Sequence, residues 1–156
     1  MNNTDVLVVD DDFAVCRIVQ RMLSNEQCKV QTSVSVVDAV VALEEKSFAA
    51  YVVNYKLPDG SGLDVAERIR SKWGAVPIIL MWGYSSRAVA LRAERLGMFD
   101  FLQKPFSREM LCEAVKKAIS SQEASKLLPV DPPAAPVASK RAGFRSWPFF
   151  AKRSAS

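Results

Sequence analysis

Three consecutive acids, Asp10-Asp11-Asp12, close the apolar run Asp5-Val6-Leu7-Val8-Val9. Carboxylates crowded into one pocket repel one another unless a cation or a lysine neutralises them, and a hard divalent ion such as Mg²⁺ suits their oxygens. The structural alternative is that Asp12 caps a following helix while Asp10 and Asp11 are solvated loop acids. Far along the chain, Lys104-Pro105-Phe106 supplies a lysine able to point into the same pocket. The chain has no histidine, which removes Ser-His-Asp and Cys-His catalysis. Its three cysteines, Cys16, Cys28 and Cys112, lack metal-ligand spacing and read as small core residues.

Those side chains need a scaffold to bring them together. The chain has 156 residues, 49% of them hydrophobic, enough for one domain with a real core. No apolar run approaches the ~18 residues that span a bilayer, and the amino end lacks a secretion signal, so a cytoplasmic location is expected. The apolar run at 5–10 reads as a buried strand. Val15, Ile18, Val19, Met22 and Leu23 then recur at helical spacing. Strands are expected again at 28–33, 49–53, 76–81 and 99–102, with helices at 36–46, 63–72, 86–96 and 107–121. Leu57-Pro58-Asp59-Gly60-Ser61-Gly62 reads as a loop, Gly97 as a helix C-cap and Ser107 as a helix start.

Five strands alternating with five helices call for a parallel sheet with helices on both faces. In such sheets the functional crevice lies at the carboxyl ends of the strands. Those ends are Asp10-Asp11, Val53-Asn54, Met81-Trp82 and Leu102-Gln103-Lys104.

With that order and spacing, the sequence resembles the receiver domain of two-component response regulators from about Asp5 to Ser121. The resemblance is carried by Val6 to Asp12, Leu57-Pro58-Asp59-Gly60-Ser61-Gly62, Val76-Pro77-Ile78-Ile79-Leu80, Gly97-Met98-Phe99-Asp100-Phe101 and Lys104-Pro105-Phe106. It implies an α/β, flavodoxin-like (βα)5 three-layer sandwich with strand order 2-1-3-4-5. It also implies an acid pair that binds Mg²⁺, an aspartate after the third strand that accepts a phosphoryl group from a histidine kinase, a Ser or Thr after the fourth strand, and a lysine that contacts the phosphoryl group. Asp10 and Asp11 keep the acid pair, Lys104 keeps the lysine, and Phe101 stands at the switch aromatic. The phospho-acceptor position is Asn54, and the hydroxyl switch position is Trp82.

Both departures change the chemistry. An amide oxygen, its lone pair delocalised into the C–N bond, is a far poorer nucleophile than a carboxylate, so Asn54 should not form an aspartyl phosphate. One fewer acid also weakens Mg²⁺ binding and lets Lys104 pair directly with Asp10 or Asp11. Trp82 offers one N–H in place of a hydroxyl; its ring is expected to fill or cover the phosphate site, packing on Phe101 or Tyr84 and holding one state.

The expectation is therefore a stand-alone atypical receiver: a non-enzymatic interaction module in two-component signalling, independent of phosphorylation at Asn54. Its partner would be a histidine kinase or downstream effector, docking through the fourth helix, fifth strand and fifth helix. Arg87, Arg92 and Arg95 on that helix read either as a dock for an acidic partner or as a solvated face. Alternatives are a receiver phosphorylated on another acid such as Asp59, an engineered Asp-to-Asn form of an active receiver, and a haloacid-dehalogenase-like enzyme using Asp10 and Asp12. The last is weakened by Ala14, where that family has Thr or Val.

The domain is expected over 1–122, with a disordered Pro/Ala-rich basic tail over 123–156. Residues 124–156 carry a charge of +5 against −1 for the rest. No DNA-binding module fits in the tail, but its basic and aromatic end, from Phe144 to Arg153, has the composition to dock a partner, a membrane or single-stranded nucleic acid. Homodimerisation is left open.

Overall fold

The computed structural model describes residues 4–24, 28–83 and 86–127. In chain order the elements are β1 (Asp5–Val9), α1 (Phe13–Ser24), β2 (Lys29–Ser33), α2 (Val36–Glu45), β3 (Ala50–Asn54), β4 (Lys56–Leu57), β5 (Gly60–Ser61), α3 (Gly62–Trp73), β6 (Ile78–Trp82), α4 (Arg87–Leu96), β7 (Asp100–Gln103) and α5 (Arg108–Leu127). Five strands form one sheet in the order β2-β1-β3-β6-β7, every pair parallel. The parallel sheet is that expected from the strand and helix alternation, and its order is that of the flavodoxin-like α/β fold implied by the resemblance.

Two cores explain the continuous apolar strands, because a sheet buried on both faces needs apolar residues at odd and even positions alike. Leu7, Tyr51, Val53, Ile78 and Leu80 pack with α2, α3 and α4 on one face. Val6, Val8, Val52, Ile79 and Met81 pack with α1 and α5 on the other. The edge strand β2 is the exception, mostly exposed and correspondingly polar in Lys29, Gln31 and Thr32.

Local chemistry sets the helix ends. Ser61 and Asp64 form a capping box at the start of α3. Ser86 caps α4, and Gly97 closes it at φ +66° in the left-handed region. The hydroxyl of Ser107 accepts from Met110 N–H as α5 begins. Gly62 is required by close approach: a Cβ there would lie 2.3 Å from the Asn54 carbonyl oxygen, so only glycine lets α3 start against the end of β3.

Three elements differ from expectation. The segment read as a loop holds a small antiparallel ribbon, β4 with β5, turning at Pro58-Asp59. Strand β6 starts after Pro77, which has no N–H for the ladder, although its carbonyl accepts from Tyr51. Helix α5 runs to Leu127, so the boundary expected at Gln122 falls inside a helix. Most of the expected tail, from residue 128 onward, lies outside the described residues. No helix among the described residues is long and apolar enough to cross a membrane.

Candidate functional site

The carboxyl end of β1 delivers Asp10 into the protein, fully buried. A buried charge requires a counter-charge and filled hydrogen bonds, and Asp10 has both. Its Oδ2 accepts from the Lys104 ammonium at 2.7 Å, and its Oδ1 accepts from the Asp12 N–H at 3.0 Å. The Asp10 carbonyl accepts from the Cys16 thiol at 3.2 Å. Burial, then the negative charge of Asp10, pushes that thiol's pKa up, so Cys16 stays protonated. Lys104 is held in turn by its own N–H, which donates to the Trp82 carbonyl at 2.8 Å.

Asp11 and Asp12 are both exposed. Asp12 Oδ1 accepts from Ala14 N–H at 2.9 Å, filling one of the orphan donors that begin α1. Asp12 is therefore a cap, and of the three acids Asp10 alone forms the buried ion pair with Lys104.

At the end of β3, Asn54 is almost completely buried. Its amide nitrogen donates to the Lys56 carbonyl at 2.7 Å. The backbone around it is also fixed, with Tyr55 N–H on Met81 O at 2.8 Å and Gly62 N–H on Tyr55 O at 2.7 Å. Asn54, Tyr55, Lys56, Gly83 and Lys104 line an open pocket of about 300 Å³. Asn54 and Lys104 thus meet at one site, as expected for this pair of positions.

Trp82 does not cover that pocket. It stands on the strand face shared by Ile78 and Leu80, and its ring is buried with Phe101 in the core beneath α3 and α4. Strand alternation decides this: residues 78, 80 and 82 point to one side, and Ile79 and Met81 to the other. The expected company of Phe101 is present; Tyr84 lies outside the described residues.

Asp59, the other acid of interest, is spoken for. Its two oxygens accept from Val36 N–H at 2.7 Å and Val37 N–H at 3.0 Å, at the start of α2. These bonds hold its carboxyl below the usual range. Asp59 therefore ties the β4–β5 turn to α2, a role invisible in a sequence where the partners lie more than twenty residues apart.

The arginines of α4 also separate. Arg92 bridges to Asp64 at 2.9 Å and Glu67 at 2.6 Å on α3, while Arg87 and Arg95 are exposed. Of the three arginines read as either a dock or a solvated face, Arg92 is turned onto α3 and Arg87 and Arg95 remain exposed.

Asp10 and Asp11 are hard oxygen ligands in kind, of which Asp10 is already engaged by an ammonium and an N–H. The Asp10 oxygens and the Lys56 carbonyl already accept N–H bonds. Among the described residues, no three Asp, Glu, Cys or His side chains cluster in a way that could hold a metal ion.

The model of the response regulator receiver domain matches residues 6–116. Among curated proteins, the transcriptional regulatory protein ZraR of Salmonella typhimurium is 32% identical over 116 residues, 74% of this chain and 26% of its own length. The acid tolerance regulatory protein ActR of Rhizobium meliloti is 30% identical over 136 residues, 87% of this chain and 66% of its own length. The chain thus spans only part of the length of either relative. Among solved structures, a CheY-like receiver domain protein from Methanospirillum hungatei JF-1 superposes with a TM-score of 0.76 at 24% identity, covering 79% of this chain and 98% of that one. That likeness is one of fold.

Proposed function

We propose, from the premise that the chain belongs to the response regulator receiver domain family, that it acts in two-component signalling as a non-enzymatic interaction module that needs no phosphoryl group on residue 54. The observation that carries this reading is the Asn54 side chain, a neutral amide whose nitrogen is engaged with the Lys56 carbonyl. Formation of an acyl phosphate needs an anionic carboxylate oxygen free to attack. Among the described residues the one buried carboxylate, Asp10, is held by Lys104 and the Asp12 N–H, and Asp59 spends both oxygens on the start of α2. Mg²⁺ binding is correspondingly weak.

Burial of both Trp82 and Phe101 supports a receiver held in one conformation, because a two-state element without a ligand that distinguishes its states does not shift. The partner is a kinase or effector of the same signalling system, meeting the face of α4, β7 and α5 where Arg87 and Arg95 are exposed. The work is done in the cytoplasm.

Intact-protein mass spectrometry after incubation with acetyl phosphate and Mg²⁺ tests this, with Asn54→Asp alongside. The parent is expected to gain no phosphoryl group. A gain on the parent defeats the reading, and fragmentation then locates the acceptor. A gain on the variant alone identifies Asn54 as the sole block, the behaviour expected also of an engineered Asp-to-Asn form. No gain on either places a second block in the pocket around it.

A further inference from the structure

We infer that Lys104 is the resident cation of the pocket, so that its ammonium and a divalent metal are mutually exclusive partners of Asp10. Asp10 is fully buried and its side chain is 1% exposed, against 28% for Lys104. The pair is therefore neutral, with Asp10 buried and Lys104 among the residues that line the pocket. A metal approaching Asp10 meets an ammonium already on Oδ2 and an N–H on Oδ1. The carbonyl of Lys56, a residue that lines the pocket, accepts from the Asn54 amide. To enter, the metal must expel Lys104 and then sit beside its positive charge. Asn54 contributes no negative charge to offset that repulsion. The two nitrogen donors, Lys104 Nζ and Asn54 Nδ2, thus fill the positions at which oxygens would otherwise call for a cation. This inference stands on the geometry of Asp10 and Lys104 and is separate from whether residue 54 is phosphorylated.

Mn²⁺, a hard oxygen-seeking ion whose free form is counted directly by electron paramagnetic resonance, is the probe. Titrated into the full chain, it should bind Lys104→Gln at least about ten-fold more tightly than the parent, while Lys104→Arg, which keeps a cation, should stay near the parent. Equal affinities in the parent and Lys104→Gln overturn the proposal, as does an Arg variant that binds like the Gln variant. Should Lys104→Gln fail to fold, acylation footprinting on the parent decides. Paired Lys104 should label about ten-fold more slowly than exposed Lys56, and equal labelling overturns the proposal. The mass-spectrometric test reads residue 54 and this one reads Lys104, so either reading can fail alone.

Discussion

The two ends of the sheet have the same kind of problem, buried or half-buried polar groups without water, and solve it with different stakes. At the amino end, Arg70 from the last turn of α3 donates to four carbonyl oxygens, those of Gly74, Val76, Leu96 and Gly97. Trp73 Nε1 donates to the Leu43 carbonyl at 2.7 Å, and Lys46 pairs with Asp5 across the start of β1. Arg70 and Trp73 thereby fill carbonyls at the C-termini of α2, α3 and α4, together with that of Val76 ahead of β6. At the carboxyl end, Lys104 and Asn54 do the same for Asp10 and the Lys56 carbonyl. There, however, the groups being satisfied are those through which a receiver would meet metal and phosphate. The same bonding logic clasps helix and strand ends on one side and occupies Asp10 and Asn54 on the other.

The largest effect that would separate the ends is expected from Arg70→Met. It strands several carbonyls at once and should cost about 3 kcal/mol, roughly 10 °C in melting temperature, with no recovery on adding Mg²⁺. Metal rescue of this variant would break the distinction between the ends. Asn54→Asp replaces the donor to Lys56 O with a second negative charge near Asp10, and should cost about 1–2 kcal/mol without metal. Most of that loss should return at about 10 mM Mg²⁺, because a ligand that binds only the folded state stabilises it. Melting curves with and without the ion check both variants.

The smallest effect sharpens the picture of the amino end. Burial raises the Asp100 carboxyl above its ordinary range, only partly opposed by the Phe101 N–H that it accepts. A group whose pKa is raised by folding favours the fold when protonated, and that contribution is lost as pH rises through the raised value. Asp100→Asn, neutral at all pH values and still able to accept from Phe101, should therefore gain about 0.5 kcal/mol at neutral pH. The gain should vanish near about pH 3, where the parent aspartate is protonated too. Urea titrations at the two pH values check the difference.

Much of the scaffold was legible from the chain. Periodicity and apolar runs marked the strands and helices, and Gly97 and Ser107 announced helix ends by local chemistry, whereas the Ser61 cap lay in a segment read only as a loop. The positions of Asp10, Asn54 and Lys104 at strand ends followed as well, since a parallel sheet with short connections brings those ends together. Less was legible at Trp82: it was expected to cover the pocket, yet the parity of β6 turns its ring into the core beside Phe101. Residues 78–82 are apolar and buried throughout, so no alternation in the sequence shows which face residue 82 takes.

Residue types and spacing by themselves thus determined the fold, the strand-end pocket and the absence of a carboxylate at residue 54, because each follows from local periodicity or from a single side chain's chemistry. Tertiary structure alone decided which acid Lys104 binds, that Asp59 braces α2, that Arg92 is turned onto α3 and that Arg70 closes the amino end. Each of these contacts joins groups far apart in sequence. Hydrogen bonds of about 3 Å depend on distance and angle, which a linear pattern does not carry.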